Sequence, residues 1–211
     1  MDVTWLGHSS FRIKGKYATL VTDPYAPSTG LKFPKTECDI VTISHDHQDH
    51  NDISKITGAP KIVSGPGEYE IKEVSIFGIS TFHDGSNGGE RGRNTVYSMT
   101  MDGINLCHLG DLGHKLSQDI LGQIGQVDIL FVPTGGVYTI DSERAVEIVG
   151  AIEPKVVIPM HYKVPGLSYD LEPVDAFIKE IGMEPVRTDK YSVTSDKLPE
   201  ERQLVVLELK N

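Results

Sequence analysis

HDHQDH, residues 45–50, sets three histidines and two aspartates around a single glutamine. Imidazole nitrogen and carboxylate oxygen together suit zinc, manganese or iron. At this chain's own His and Asp frequencies, His-x-His-x-Asp-His arises by chance on the order of once in a thousand such sequences, which disfavours a merely polar loop. Six residues still cannot surround one ion. Residues two apart on an extended segment point the same way, so His45 and His47 can share a metal. Asp49 and His50 lie past the strand end, where the chain is expected to turn into a helix with Asp49 or Asn51 as N-cap before ISKI. The stretch therefore reads as two half-sites, each short of ligands.

Working outward, four apolar runs each end near a metal-binding residue. DIVTIS (39–44) leads to His45, VSIFGISTF to His83, INLCHLG to Asp111 and KVVIPM (155–160) to His161. Sites in α/β sheets lie beyond the carboxyl ends of strands. One histidine after a strand would be weak; four residues in this context are a pattern.

The remaining chain supports such a frame. DVTWLG (2–7), SFRIKG (10–15) and YATLVT (17–22) alternate like strands, KIVSG (61–65) is another, and YEIKEVSIFGISTF (69–82) reads as two. HDGSNGGERGRNT (83–95) is expected to be an irregular, mobile loop. TVYSMTMDGINLCHLGD (95–111) reads as a hairpin turning at Asp102-Gly103. Helices are expected at 117–125, 141–152 and 172–182, with strands at 127–133, 155–160 and 203–209. No repeat or linker divides the 211 residues, so one domain over 1–211 is expected. A β-rich half followed by α/β alternation suits two face-to-face sheets with helices outside.

Charged residues are 24% and hydrophobic ones 38%, as in a folded globular chain. A formal net charge of −10 argues against nucleic acid as a partner. No apolar run is long enough for a membrane span, and MDVTWLGHSSF lacks the layout of a signal peptide. Cys38 and Cys107 read as reduced thiols. The expected compartment is the cytoplasm, the expected partner is a small-molecule substrate, and homo-oligomerisation is left open.

HDHQDH, His83, Gly110-Asp111 and His161 together resemble the metallo-β-lactamase superfamily. TWLGHSSF, Asp23-Pro24, HLGDLGH and IPMHY resemble the branch that includes L-ascorbate-6-phosphate lactonases and related metal-dependent hydrolases. The resemblance runs from residue 3 to about 165. It implies an αββα sandwich with two mixed sheets. It also implies His45, His47 and His83 on one metal, Asp49, His50 and His161 on a second, and Asp111 bridging both. The cofactors would be two divalent ions, zinc first, with manganese or iron as alternatives. A hydroxide between them would be the nucleophile, and Asp49 could orient it.

Other residues have assigned expectations. Asp23 is expected to hydrogen-bond a ligand histidine. His8 is placed at the edge of the site. His114, three residues past Asp111, is a candidate proton donor or substrate contact. Arg91 and Arg93 are candidates for holding a phosphate or carboxylate. Tyr162 is a candidate donor to a developing oxyanion, and Gly135-Gly136 could offer N–H groups to an anion. Asp46 and His108 are given no chemistry. The function expected is hydrolysis of a small ester, lactone or phosphodiester. The alternatives are an iron-dependent redox protein of the same fold, a nucleic-acid processing enzyme, and a metal-binding protein without turnover.

Overall fold

The structure is a computed structural model and describes residues 1–209. Strands β1 (Asp2–Gly7), β2 (Ser10–Lys14) and β3 (Thr19–Thr22) start one sheet in antiparallel order. Next come β4 (Thr36–Glu37), β5 (Ile40–Ile43), β6 (Ile56–Thr57) and β7 (Lys61–Ser64). β5 and β7 extend the sheet in parallel, while β4 pairs only with β6. An antiparallel meander follows: β8 (Gly67–Ile71), β9 (Val74–Phe82), β10 (Arg93–Met101) and β11 (Ile104–His108). Then α1 (Gln118–Ile124), β12 (Ile129–Pro133), α2 (Ser142–Ile152), β13 (Val156–Met160) and α3 (Val174–Ile181) alternate. The short β14 (Pro185–Thr188) and β15 (Tyr191–Ser192) precede the closing β16 (Gln203–Leu207).

The result is a six-stranded sheet, β15-β1-β2-β3-β5-β7, facing an eight-stranded one, β14-β16-β13-β12-β11-β10-β9-β8. Period-2 alternation sends Val3, Trp5, Phe11, Ile13, Leu20 and Ile40 inward to the shared core. Phe11 of β2 meets Phe131 of β12 across it, ring centroids 4.5 Å apart. The Tyr97 hydroxyl crosses from β10 to donate to the Ile43 carbonyl at 2.8 Å. Val21, Val41 and Ile43 face outward into a second small core with Tyr25, Phe33 and Cys38. Both faces of β5 are therefore covered, which explains its run of four buried residues. Cys38 and Cys107 are both buried and free, in separate clusters.

The helices lie over the large sheet, α1 against β9 and α2 against β12, with α3 on α2. Asp141 caps α2 by accepting from the Arg144 N–H, and Ala145, Ile148 and Val149 form its buried face. Over the small sheet the covering layer is loop, 3₁₀ turn and the short β4, from residues 24–38.

Two sequence expectations are corrected. The helix expected after HDHQDH is only a 3₁₀ turn, Ile53–Lys55, and its cap is Asp52. β-branched Ile53, Ile56 and Thr57 disfavour continuation, and Gly58 and Pro60 follow closely. The backbone here bonds across instead: Ala26 N–H donates to the Gln48 carbonyl and Asp52 N–H to that of Pro24. The glycine-rich loop ends earlier than expected, because Arg93 and Asn94 already belong to β10. The hairpin turn is as read, with Asp102 and Gly103 at φ 54° and 73°, as a type I′ turn requires.

Candidate metal centre

Six strand ends converge at one edge of the sandwich. β1, β3 and β5 of the small sheet deliver His8, Asp23 and the 45–50 stretch. β9, β11 and β13 of the large sheet deliver His83, Asp111 and His161. Three of these residues turn the chain sharply off the strand at positive φ: His8 at 53°, Asp23 at 37° and His161 at 54°. Such backbone is uncommon outside glycine, and strain of this kind gathers at functional sites.

The side chains form overlapping groups whose donor atoms lie within 4.8 Å of one another: His45/His47/His83, His8/Asp49/His50/His161 and His45/His50/Asp111. Asp111 Oδ2 sits 3.2 Å from Nε2 of each of His50, His83 and His161, and 3.9 Å from that of His45. One carboxylate thus touches both halves. Behind it, buried Asp23 accepts from Ser44 N–H at 2.8 Å, Ser44 O–H at 2.6 Å and His50 Nδ1–H at 2.9 Å. Ser44 Oγ in turn accepts from His45 Nδ1–H at 2.9 Å. This relay fixes both rings with Nε2 facing the cluster, the arrangement that orients metal-binding imidazoles.

Burial, with His50 nearby, pushes the His45 imidazole down to about 3, so it is neutral. His8 is pushed down to about 4 by burial and by His161, so its 3.1 Å contact with Asp49 is a hydrogen bond from a neutral ring rather than an ion pair. Burial works against a proton on His50, but Asp111 above all, then Asp23 and Asp49, raises its pKa well above the ordinary value. Asp111 is driven the other way: His161 and His50 overcome burial and hold it well below the usual range.

Do these residues fit metal ions? Among the described residues, His45 Nε2, His50 Nε2 and Asp111 Oδ1 are buried without a hydrogen-bond partner. Orphaned donor atoms of this kind, converging on a nitrogen-and-carboxylate set, match what divalent cations take. A divalent cation seated among them would satisfy these atoms.

A family profile described as the beta-lactamase superfamily domain matches residues 2–161. The chain belongs to the metallo-β-lactamase superfamily. A UPF0173 metal-dependent hydrolase from Thermoplasma volcanium is 30% identical over 187 residues, covering 77% of this chain and 83% of that protein. A second, from Archaeoglobus fulgidus, is 26% identical over 217 residues, covering 87% and 93%. The crystal structure of a candidate zinc-dependent hydrolase of the same superfamily, from Thermotoga maritima, is 38% identical and superposes with a TM-score of 0.83, covering 99% of both chains. The metallo-β-lactamase fold implied by the sequence is thereby established for this chain.

On this superfamily frame the structure gathers His45, His47, Asp49, His50, His83, Asp111 and His161, with Asp23 and His8 against them. Arg91 lines the cleft above the cluster with Tyr138 and Tyr169 and also borders a neighbouring groove beside His45 and His47, which Arg93 lines. Two expected residues lie elsewhere. Both ring nitrogens of His114 are used by backbone: Nε2 accepts from Phe82 N–H and Nδ1 donates to the Lys115 carbonyl. It braces the end of β9 and does not line the cleft. Tyr162 is buried against Trp5, ring centroids 5.0 Å apart, with its hydroxyl toward the Leu207 carbonyl. The peptide turn at His161 sends the two neighbouring side chains to different sides. His108 is also spoken for, donating to the Ser9 carbonyl and accepting from Gly110 N–H.

Sequence reasoning gave Asn94, Asp84 and Gly135 no such roles. Asn94 Oδ1 accepts from Asp111 N–H while its amide donates to Thr81 Oγ1 and the Leu109 carbonyl, anchoring the Asp111 turn. At Gly135 a Cβ would lie 2.1 Å from the His161 carbonyl oxygen. Gly135→Ala is therefore expected to displace His161. Overpacking of this kind costs roughly 1–3 kcal/mol, checked by denaturant unfolding, and zinc affinity should fall with it. Asp84 gathers the glycine-rich loop: its carboxylate accepts from the N–H groups of Ser86, Gly88, Glu90 and Arg91 at 2.7–3.0 Å. The Arg91 N–H foremost, outweighing desolvation, holds its carboxyl well below the usual range. Asp84→Ala should release residues 84–92. Amide exchange in that loop is expected to rise sharply, with the strands unchanged.

Proposed function

We propose that the chain is a metal-dependent hydrolase with a binuclear centre. The observation that carries this is the position of Asp111, one oxygen 3.2 Å from histidines of both half-sites. His45, His47 and His83 would hold one ion; Asp49, His50 and His161 would hold the other; Asp111 would contact both. The relatives named metal-dependent hydrolases support the reading, and the likeness to the Thermotoga maritima protein supports zinc. When bound, such ions would lower the pKa of coordinated water and polarise the oxygen under attack.

The chain's own residues do the rest. Asp23 holds a proton on His50 Nδ1, leaving Nε2 free. His8 donates to Asp49 Oδ2 and fixes that carboxylate. Arg91, Tyr138 and Tyr169 wall a cleft of about 350 Å³, the size for a small molecule rather than a polymer. The substrate class is a small ester, lactone or phosphodiester. Lactones and phosphodiesters stand level in the screen.

The test pairs metal analysis with turnover of lactones, phosphodiesters and phosphorylated sugars, before and after chelation. Two metals per chain, ~3.5–4 Å apart in a crystal structure, and activity lost on chelation and restored by zinc are expected. A single metal per chain, or hydrolysis indifferent to chelation, overturns the binuclear mechanism.

A further inference from the structure

We infer that the substrate carries a second, non-reacting anionic group, a phosphate monoester or carboxylate, and that Arg91 binds it. This rests on the hydrolase reading and names the substrate class for that cleft.

Three observations lead there. First, apart from the candidate metal ligands, Arg91 is the charged side chain among the described residues that line the cleft; its other walls are Gln48, Tyr138 and Tyr169. Second, its guanidinium is placed and yet unspent. It lies 5.6 Å from the centroid of the Tyr138 ring, within cation–π reach. Its acidic neighbour, Glu90, is 3.7 Å away, beyond hydrogen-bond reach, on a side chain 61% exposed, and that carboxylate already accepts from Ser86. The N–H edges of a planar fork remain for an oxyanion, the bidentate match at which arginine excels.

Third, the fold spends strain and hydrogen bonds on this wall. The Asp84 carboxylate takes the Arg91 N–H at 2.7 Å and so sets where the side chain leaves the loop. On the other side, Val137 sits at φ 53°, a conformation that a β-branched residue rarely adopts, and it directly precedes Tyr138. Tyr169 stands edge-on to Tyr138 at 6.0 Å. A chain of net charge −10 repels anions at long range, and Arg91 supplies a fixed cation on the cleft wall, apart from the metal-binding cluster, for a group that does not react.

The experiment compares matched pairs on the zinc-loaded protein: ribono-1,4-lactone with its 5-phosphate, and p-nitrophenyl acetate with p-nitrophenyl hemisuccinate. The anionic member of at least one pair should show a KM about tenfold or more below its neutral partner, and which pair does so separates phosphate from carboxylate. Arg91→Gln should erase that difference by raising the KM of the anionic member about tenfold or more beyond any change in its neutral partner; Arg91→Lys should restore part of it. Equal KM within both pairs, or equal losses for neutral and anionic members, overturns the inference.

Should no pair be turned over, the hydrolase reading is the one in trouble, and calorimetric titration of phenyl phosphate decides the anion site separately. Wild type binding about tenfold more tightly than Arg91→Gln supports it. Identical affinities, or a larger loss from Arg93→Gln than from Arg91→Gln, overturn it, the latter by moving the anion to the neighbouring groove.

Discussion

Replacing Asp111 with alanine is expected to drop the metal content of the purified protein below one ion per chain. Hydrolysis should fall by roughly 10³-fold or more, since groups that act as one unit fail together. Asp111 is 1% exposed and its side chain lies among His45, His50, His83 and His161, so its loss removes a carboxylate shared by both histidine groups. The backbone there is held independently, by the Asn94 side chain accepting from the residue 111 N–H. The variant should therefore fold, with its far-UV circular dichroism unchanged. Metal analysis and kinetics on the same preparation check both halves. Full metal occupancy with lost activity would mean that Asp111 serves the chemistry without bridging the ions.

Asp23→Ala should show a large effect of a different kind. Its carboxylate accepts three buried hydrogen bonds, from Ser44 N–H, Ser44 O–H and His50 Nδ1–H. Breaking such a buried network strands its donors and costs about 3–5 kcal/mol. For a chain of this size that is a fall in Tm of roughly 6–20 °C. Freeing the His50 ring should also weaken zinc binding by about 10–100-fold. Acid dependence gives a second signature. Burial raises the Asp23 carboxyl, but the hydrogen bond and charge of His50 more than reverse this and leave it below 3.8. A carboxyl lowered on folding stabilises fully above its unfolded pKa and loses that contribution as pH falls through its folded one. In chelator-treated protein the gap between wild type and Asp23→Ala should thus be widest above about pH 5 and narrow below 3.8. Asp23→Asn, which keeps an acceptor oxygen, should fall between them.

How much of this was legible beforehand depends on which forces spoke through local sequence. The strands of the core announce themselves by alternation. The four strand-end residues His45, His83, Asp111 and His161 follow because a sheet edge collects what its strands carry. Asp23 and His8 were legible for the same reason, one strand end further out. The helix after HDHQDH misled because propensity is a weak local term there, outweighed by backbone bonds to Pro24 and from Ala26. β14 and β15 went unseen as short edge pieces; β15 pairs with β1 at the other end of the chain, and β14 with the following β16. Asn94, Asp84, Tyr138 and Tyr169 carry no periodic signal at all. Their roles come from distant loops arriving at one place. Tyr162 and His114 misled by adjacency, since a neighbour of a ligand in sequence need not face the ligand's way.

The centre draws on both sheets. In each half-site two residues come from the small sheet and one from the large, and Asp111 adds another from the large. Metal ions seated there would act as rivets across the seam of the sandwich. Away from this edge the sheets are held by interdigitated apolar side chains and a few cross-sheet hydrogen bonds. At this edge, without metal, His45 Nε2, His50 Nε2 and Asp111 Oδ1 have no hydrogen-bond partner among the described residues. Chelation should therefore do more than silence the enzyme: it would unfasten one end of the molecule. That end is where β5, β9, β11 and β13 would first part.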